Sequence, residues 1–196
     1  MTASVVVVGV TVAKADVPCG QRANSKAFAR WGDNNNYFRS PGGNFEYSST
    51  AGVDDSWAET WDIYSIDRIA PSLRASQDDP WDVSGPGTKS LLIKPSKAYV
   101  SPTFCVASDE ESIRFVTKGP TGQTMTVRVL VQSARGWEGV DHVLTGTGSW
   151  AVAPQLPIPN LRDDSGEQWV NIKFGSTSGT GSWYVDNVMV DPWRSW

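Results

Sequence analysis

Residues 124–132 read TMTVRVLVQ, and their side-chain character alternates with a period of two. Met125, Val127, Val129 and Val131 fall on one face, while Thr126, Arg128 and Leu130 fall on the other, as a half-buried strand requires. Similar short runs occupy residues 90–93, 99–107, 112–117, 140–144, 150–158, 169–174 and 183–190, with Pro102 marking the second as an edge or a bulge. Turn clusters separate them, the strongest being Lys118-Gly119-Pro120-Thr121-Gly122. No window combines helical apolar spacing with capping residues. Strands at this spacing with no helices between them predict an all-β domain, a two-sheet antiparallel β-sandwich or a barrel. Ten tryptophans and 18 glycines fit the same class.

Gly-Thr-Gly-Ser-Trp occurs twice, at 146–150 and at 179–183. Each copy follows a turn-rich stretch and precedes an extended run, and the flanking sequences are unrelated. The repeat therefore reads as two separate turn-to-strand transitions: glycines reverse the chain and the tryptophan starts the strand.

The formal net charge is −4, with an isoelectric point near 5.0 and no basic stripe. Nucleic acid and anionic membrane surfaces are thus poor partners. Residues 5–13 form an apolar run too short for a bilayer, which takes roughly 20 residues. Ala13-Lys14-Ala15 has the small-x-small spacing of a signal-peptidase site, so cleavage is expected before Asp16. No Lys or Arg precedes that run, which leaves open a start further upstream or a valine-rich edge strand. The expected organisation is a signal peptide at 1–15, an irregular arm at 16–42 and a sandwich domain at 43–196.

Cys19 and Cys105 are the two cysteines. They belong to no CxxC and to no Cys/His cluster, which argues against zinc. In an oxidising compartment they would pair and pin the arm to the domain. The run Asp33-Asn34-Asn35-Asn36 resembles the start of a calcium loop, but Asn44 stands where that loop needs its acid, so a turn is expected.

Gly-Asn-Phe-Glu at 43–46, Trp57, Gly-Ser-Trp leading into Leu-Pro-Ile-Pro at 148–159, and Gly-Ser-Trp-Tyr-Val-Asp-Asn-Val-Met-Val at 181–190 come in a telling order. They resemble the galactose-binding-like jelly rolls that serve as carbohydrate-binding modules in secreted bacterial glycosidases. The resemblance covers residues 43–192 and implies a jelly roll whose opening strand, around Phe45, lies beside its closing strand, around Val185. It also implies a structural calcium ion held by Glu46 and Asp186, with Asn187 in place of the family's second acid. Oxygen ligands of that kind suit Ca²⁺.

Sugar rings stack on exposed aromatics. Trp57, Trp150, Trp169 and Trp183 are expected to pack, which leaves Trp61, Tyr64, Trp81 and Trp137 as carbohydrate-binding candidates. Trp81 sits in the proline-broken run Asp78-Asp79-Pro80-Trp81-Asp82 and Trp137 in the turn-like Gly136-Trp137-Glu138-Gly139. The acidic clusters form no recognisable catalytic pair, because adjacent acids on a strand point to opposite faces. His142 has no Gly-x-Ser-x-Gly to serve, and Gly87-Thr88-Lys89-Ser90 lacks the features of a phosphate loop. The expected function is a secreted, non-catalytic binder of a polysaccharide or cell-envelope glycan, without nucleic acid or membrane insertion and of open oligomeric state. A protein-interaction domain using the jelly roll as scaffold, or a small glycan-active enzyme, are the alternatives.

Overall fold

The computed structural model describes residues 19, 23–46, 62–63, 74–75, 79–81, 83, 87–101, 103–161, 166–176 and 179–192. Among them, helical backbone is confined to one 3-10 turn, Ala29–Trp31. The strands are β1 (Phe38–Arg39), β2 (Asp62–Ile63), β3 (Arg74–Ala75), β4 (Ser90–Ile93), β5 (Ala98–Val100), β6 (Phe104–Val106) and β7 (Glu110–Lys118). They continue with β8 (Thr124–Ser133), β9 (Gly136–Thr145), β10 (Trp150–Val152), β11 (Leu156–Pro157), β12 (Gln168–Ser176) and β13 (Trp183–Pro192).

The described strands make two antiparallel sheets. The seven-stranded sheet runs β10-β7-β13-β4-β3, with β1 beside β13 and β11 beside β7. The six-stranded sheet runs β2-β5-β12-β8-β9, with β6 beside β12. The chain is therefore a two-sheet antiparallel β-sandwich, as the alternation of residues 124–132 predicts. Met125, Val127, Val129 and Val131 point inward from β8 and meet Phe115, Val185, Ile113 and Leu91 of the opposite sheet. Phe115 and Phe174 stack edge to face across the gap, with ring centroids 5.1 Å apart. Each such fully buried side chain stabilises the fold by about 1.5–3 kcal/mol.

Two predicted strands are each divided. The run at 150–158 becomes β10 and β11, both on β7, with a one-residue slip between Val152↔Val116 and Leu156↔Ile113. Pro154 has no ladder N–H to give, and the chain bulges around it while Ala153 N–H donates to Phe115 O at 2.8 Å. The run at 99–107 becomes β5 and β6, both on β12. Between them the Ser101 hydroxyl accepts the Ile172 N–H at 2.8 Å, and Asn171 donates to Ser101 O at 2.9 Å.

The two Gly-Thr-Gly-Ser-Trp runs do the same job. One links β9 to β10 and the other links β12 to β13, so each carries the chain from the six-stranded sheet to the seven-stranded one. Both pack on the β7–β8 turn, one on either side. Gly148 N–H donates to Gly119 O at 2.8 Å and Gly122 N–H to Gly146 O at 3.0 Å, while Gly181 N–H donates to Gln123 Oε1 at 3.1 Å. A Cβ at Gly146 would overlap Pro120 O, and one at Gly181 would overlap the Pro120 ring. Glycine is fixed at both places by close approach of the same proline.

Residues 23–42 of the arm pack over part of the outer side of the seven-stranded sheet. Ser25 and Tyr37 form a bridge, and fully buried Phe28 and Tyr37 pack on Val116 and Met189. Asp33 makes the expected Asx turn through Asn35 N–H, but its other oxygen reaches further: it accepts from Arg114 and from the Tyr37 hydroxyl. Tyr37 is held above its ordinary value of 10.0, first by burial and then by the bond to Asp33. Its folded form thus retains a proton that the unfolded chain releases. The contribution is complete below pH 10.0 and is lost as pH rises beyond it. Unfolding free energy should fall more steeply above pH 10.0 in the parent than in Tyr37→Phe, as read by urea melts at stepped pH.

The opening strand differs from the expectation. Strand pairing with β13 occurs at Phe38↔Val190 and Arg39↔Met189, not at Phe45. Phe45 is buried in the core beside Val185 and Val188, yet its φ of 53° puts it in a left-handed turn. The reason lies across the way: Asn187 has φ 49° and bulges β13, so Val188 N–H reaches Gly43 O and Ser40 N–H reaches Val188 O. The disulfide is where the sequence puts it, with Cys19 and Cys105 Cα atoms 5.4 Å apart and 86 positions between them in sequence.

Candidate functional site

Among the described residues, the outer face of the six-stranded sheet is exposed along β8 and β9. Its side chains are those that alternate with the core set: Thr126, Arg128, Leu130 and Gln132 on β8, Trp169, Lys173 and Gly175 on β12 with buried Asn171 between them, and Trp137, Gly139, Asp141 and Val143 on β9. Register aligns them in rows. Gln132 lies opposite Trp137, Leu130 opposite Gly139 and Asn171, and Arg128 opposite Asp141 and Lys173. Lys173 in turn lies opposite Val100, which faces Asp62 on β2.

Trp137 is 44% exposed and Val143 is 64% exposed. A tryptophan and a valine at those values give the face apolar ground at both ends. Between them, Arg128 donates twice to Asp141, from Nε at 2.5 Å and from Nη2 at 2.6 Å. The guanidinium holds the Asp141 carboxyl below the usual carboxylate range. Gly139 is what lets this ladder stay flat, since a Cβ there would strike Leu130 and Arg128.

Near the Thr126–Arg128 end the face sinks into a hollow of about 340 Å³. It is lined by the small residues Ala98 and Gly175 together with Ser96, Lys97, Thr126, Arg128, Asp141 and Lys173. Trp137 lies four residues from Asp141 on the same side of β9, about 13 Å along the strand. At the other end Cys105 lies opposite Trp169, so the disulfide and the start of the arm border the face.

Of the four aromatic candidates, Trp61 and Tyr64 lie outside the described residues. Trp137 stands on the open face. Trp81 does not join it: the ring is half-buried under the arm on the other sheet, edge to face with Trp31 at 4.9 Å and with Arg30 6.0 Å above it. Trp169, which the sequence assigns to packing, is only half-buried and belongs to the open face. Arg128, Asp141, Lys97 and Lys173 were missed as site residues. The signal for the first was present, because the polar phase of residues 124–132 is this face; the partners on β9 and β12 depend on register, which local sequence does not carry.

The calcium positions are each engaged by protein groups. Glu46 Oε1 accepts the N–H groups of Thr88 at 2.6 Å and Lys89 at 2.5 Å, and Oε2 takes the Thr88 hydroxyl at 3.3 Å. Asp186 and Asn187 are both buried in the β13 bulge. Asp186 accepts its neighbour's N–H at 2.7 Å, and Asn187 donates from Nδ2 to Asp79. Asp79, buried as well, also accepts the Trp81 N–H at 2.8 Å. Carboxylate and amide oxygens of this kind suit Ca²⁺ in chemistry. Among the described residues, the one trio of acidic, His or Cys side chains drawn within ligand distance is Cys19, Cys105 and Glu167, where the sulfurs are bonded to each other.

No protein-family model matches this sequence, and no curated protein is similar to it. Similar solved structures are mostly carbohydrate-binding modules of the β-sandwich type. One is a family 11 carbohydrate-binding module from Clostridium thermocellum in complex with a β-1,3-1,4-mixed-linked tetrasaccharide: 15% identity, TM-score 0.45, covering 76% of this chain and 96% of that one. Another is a family 4 carbohydrate-binding module: 15% identity, TM-score 0.42, covering 81% of this chain and 87% of that one. An arabinose-bound α-L-arabinofuranosidase is similar over 80% of this chain and 26% of its own, with 17% identity and TM-score 0.48.

Proposed function

We propose that this chain is a secreted, non-catalytic glycan-binding protein whose ligand lies on the outer face of the six-stranded sheet. The observation that carries the proposal is the asymmetry of the sandwich. Among the described residues, the arm packs over part of the outer face of one sheet, while the other keeps an exposed tryptophan, a row of hydrogen-bonding groups and a hollow. An aromatic platform beside fixed donors and acceptors is what a sugar polymer needs: ring faces stack, and hydroxyls find partners. Arg128 and Asp141 hold each other in place, so little side-chain freedom is lost when they meet a ligand.

Affinity electrophoresis against a panel of soluble polysaccharides tests this. Retardation by at least one glycan, weakened about tenfold or more in Trp137→Ala, is the expected outcome. No retardation by any of them, or retardation that Trp137→Ala leaves unchanged, removes the site from this face. A structural calcium ion at Asp186, with Glu46 and Asn187 as further oxygen donors, belongs to the same proposal. Chelation should then lower the melting temperature by several degrees, reversibly on adding CaCl₂; an unchanged melt discards the ion and leaves the glycan site standing.

A further inference from the structure

Among the described residues, β9 ends the six-stranded sheet, and it pairs with β8 without a break from Thr124↔Thr145 to Ser133↔Gly136. Leu144 is its one buried residue. Toward the hairpin tip the side of the strand that follows Leu144 inward also lies open, with Glu138 exposed and Val140 46% exposed. Trp137, Val140 and Val143 are three of the four large apolar side chains left exposed among the described residues, and all three sit on this strand. Exposed edges are usually blunted by Lys, Pro or a bulge. Residues 136–145 read GWEGVDHVLT and hold neither Lys nor Pro. Their two carboxylates are engaged within the hairpin: Asp141 binds Arg128, and Glu138 accepts the Ser133 hydroxyl at 2.5 Å. The ladder also fixes which backbone groups are free. Gly146 N–H donates to Gln123 O at 2.8 Å. Alternate residues before it, Leu144, His142, Val140 and Glu138, therefore turn their N–H and C=O toward β8, while Trp137, Gly139, Asp141 and Val143 turn theirs outward.

We infer that this edge receives a second copy of the chain, whose β9 runs antiparallel to the first about a two-fold axis at Val140. The inference stands apart from the glycan reading. In an antiparallel pair outward-turned groups must meet outward-turned groups, so the self-pairing registers are those centred on a residue. Centring on Val140 sets Val140 against its counterpart, Trp137 against Val143 of the second copy, and Glu138 against His142 of the second copy. Apolar meets apolar, and a carboxylate meets an imidazole that can donate to it. Gly139 falls opposite Asp141, which keeps its bond to Arg128. Neighbouring registers lose this match. Centring on Asp141 puts two carboxylates face to face, and centring on Gly139 sets Trp137 against Asp141 and Glu138 against Val140. The Val140 register adds about eight main-chain hydrogen bonds. It closes on itself, because each copy offers this edge once. The two six-stranded sheets then form one continuous sheet, with both outer faces on the same side.

Sedimentation velocity of the whole chain from about 1 μM to about 0.5 mM reads the association. The mass should double across that range and rise no further. Val140→Lys places like charges at the axis and should weaken the dimer about tenfold or more, while its circular-dichroism spectrum stays that of the parent. Val140→Cys should cross-link to its counterpart under mild oxidation, since side chains directly opposite each other have Cβ atoms about 4.5 Å apart. The background is clean, because Cys19 and Cys105 are bonded to each other. Glu138→Cys, displaced from the axis, should stay largely uncross-linked at the same protein concentration. A chain that remains single at about 0.5 mM, a mass that climbs past the dimer, or a dimer that Val140→Lys leaves unchanged overturns the inference. Equal cross-linking of Val140→Cys and Glu138→Cys overturns it as well.

Discussion

Replacing Cys19 and Cys105 together by serine should lower the free energy of unfolding by about 4 kcal/mol. The cross-link closes a loop of 86 positions, so most of its effect falls on the unfolded chain, whose freedom it restricts. In the folded state the loss is small, because Phe104 and Val106 on either side of Cys105 are buried in the core and keep β6 on β12. The reduced protein should therefore remain a sandwich of the same near-ultraviolet spectrum and melt at a lower temperature. Urea unfolding of the double variant against the oxidised parent measures the difference. A change below about 1 kcal/mol would mean that the arm is already confined in the unfolded ensemble.

Arg114→Ala should cost about 3 kcal/mol, whereas Arg128→Ala should cost less than about 1 kcal/mol. Both arginines bind an aspartate, and the two pairs differ first in burial. Arg114 and Asp33 have side chains 18% and 12% exposed, and Arg128 and Asp141 are 47% and 42% exposed. Arg114 also donates from Nε to Ala153 O at 3.1 Å and lies 5.1 Å above the Phe28 ring. Truncating it leaves the largely enclosed Asp33 carboxylate without its cation, held by the Asn35 N–H and the Tyr37 hydroxyl, and loosens the arm. Asp33→Asn in the Arg114→Ala background should then cost far less than either change alone. Equal losses for Arg114→Ala and Arg128→Ala would show that shielding from water is not what separates the two pairs.

The sandwich was legible because inside and outside alternate along each strand, and alternation is a local property. Residues 124–132 show it in both phases, and the apolar phase became core while the polar phase became the open face. The two Gly-Thr-Gly-Ser-Trp runs were legible as turns, but not as partners on one proline, since Pro120 is distant from both in sequence. Asp33 shows a similar limit. Its turn with Asn35 is written within three residues, and its ion pair with Arg114 depends on the arm folding back over β7. Phe45 reads as a strand residue by type and sits in a left-handed turn, because the bulge at Asn187 dictates the backbone opposite it. Trp81 and Trp137 look alike as exposed rings in polar turns; only the path of the arm assigns them to different sheets.

Among the described residues, the arm shields part of one broadside of the sandwich and leaves the other broadside uncovered along β8 and β9. If a polymer binds the uncovered face, as proposed, one copy would sit on a single strand, whereas a sandwich bound on both broadsides could bridge two strands and gel them. A tighter grip would then come from neighbours arrayed along the same polymer, with valency set by how many copies are brought together.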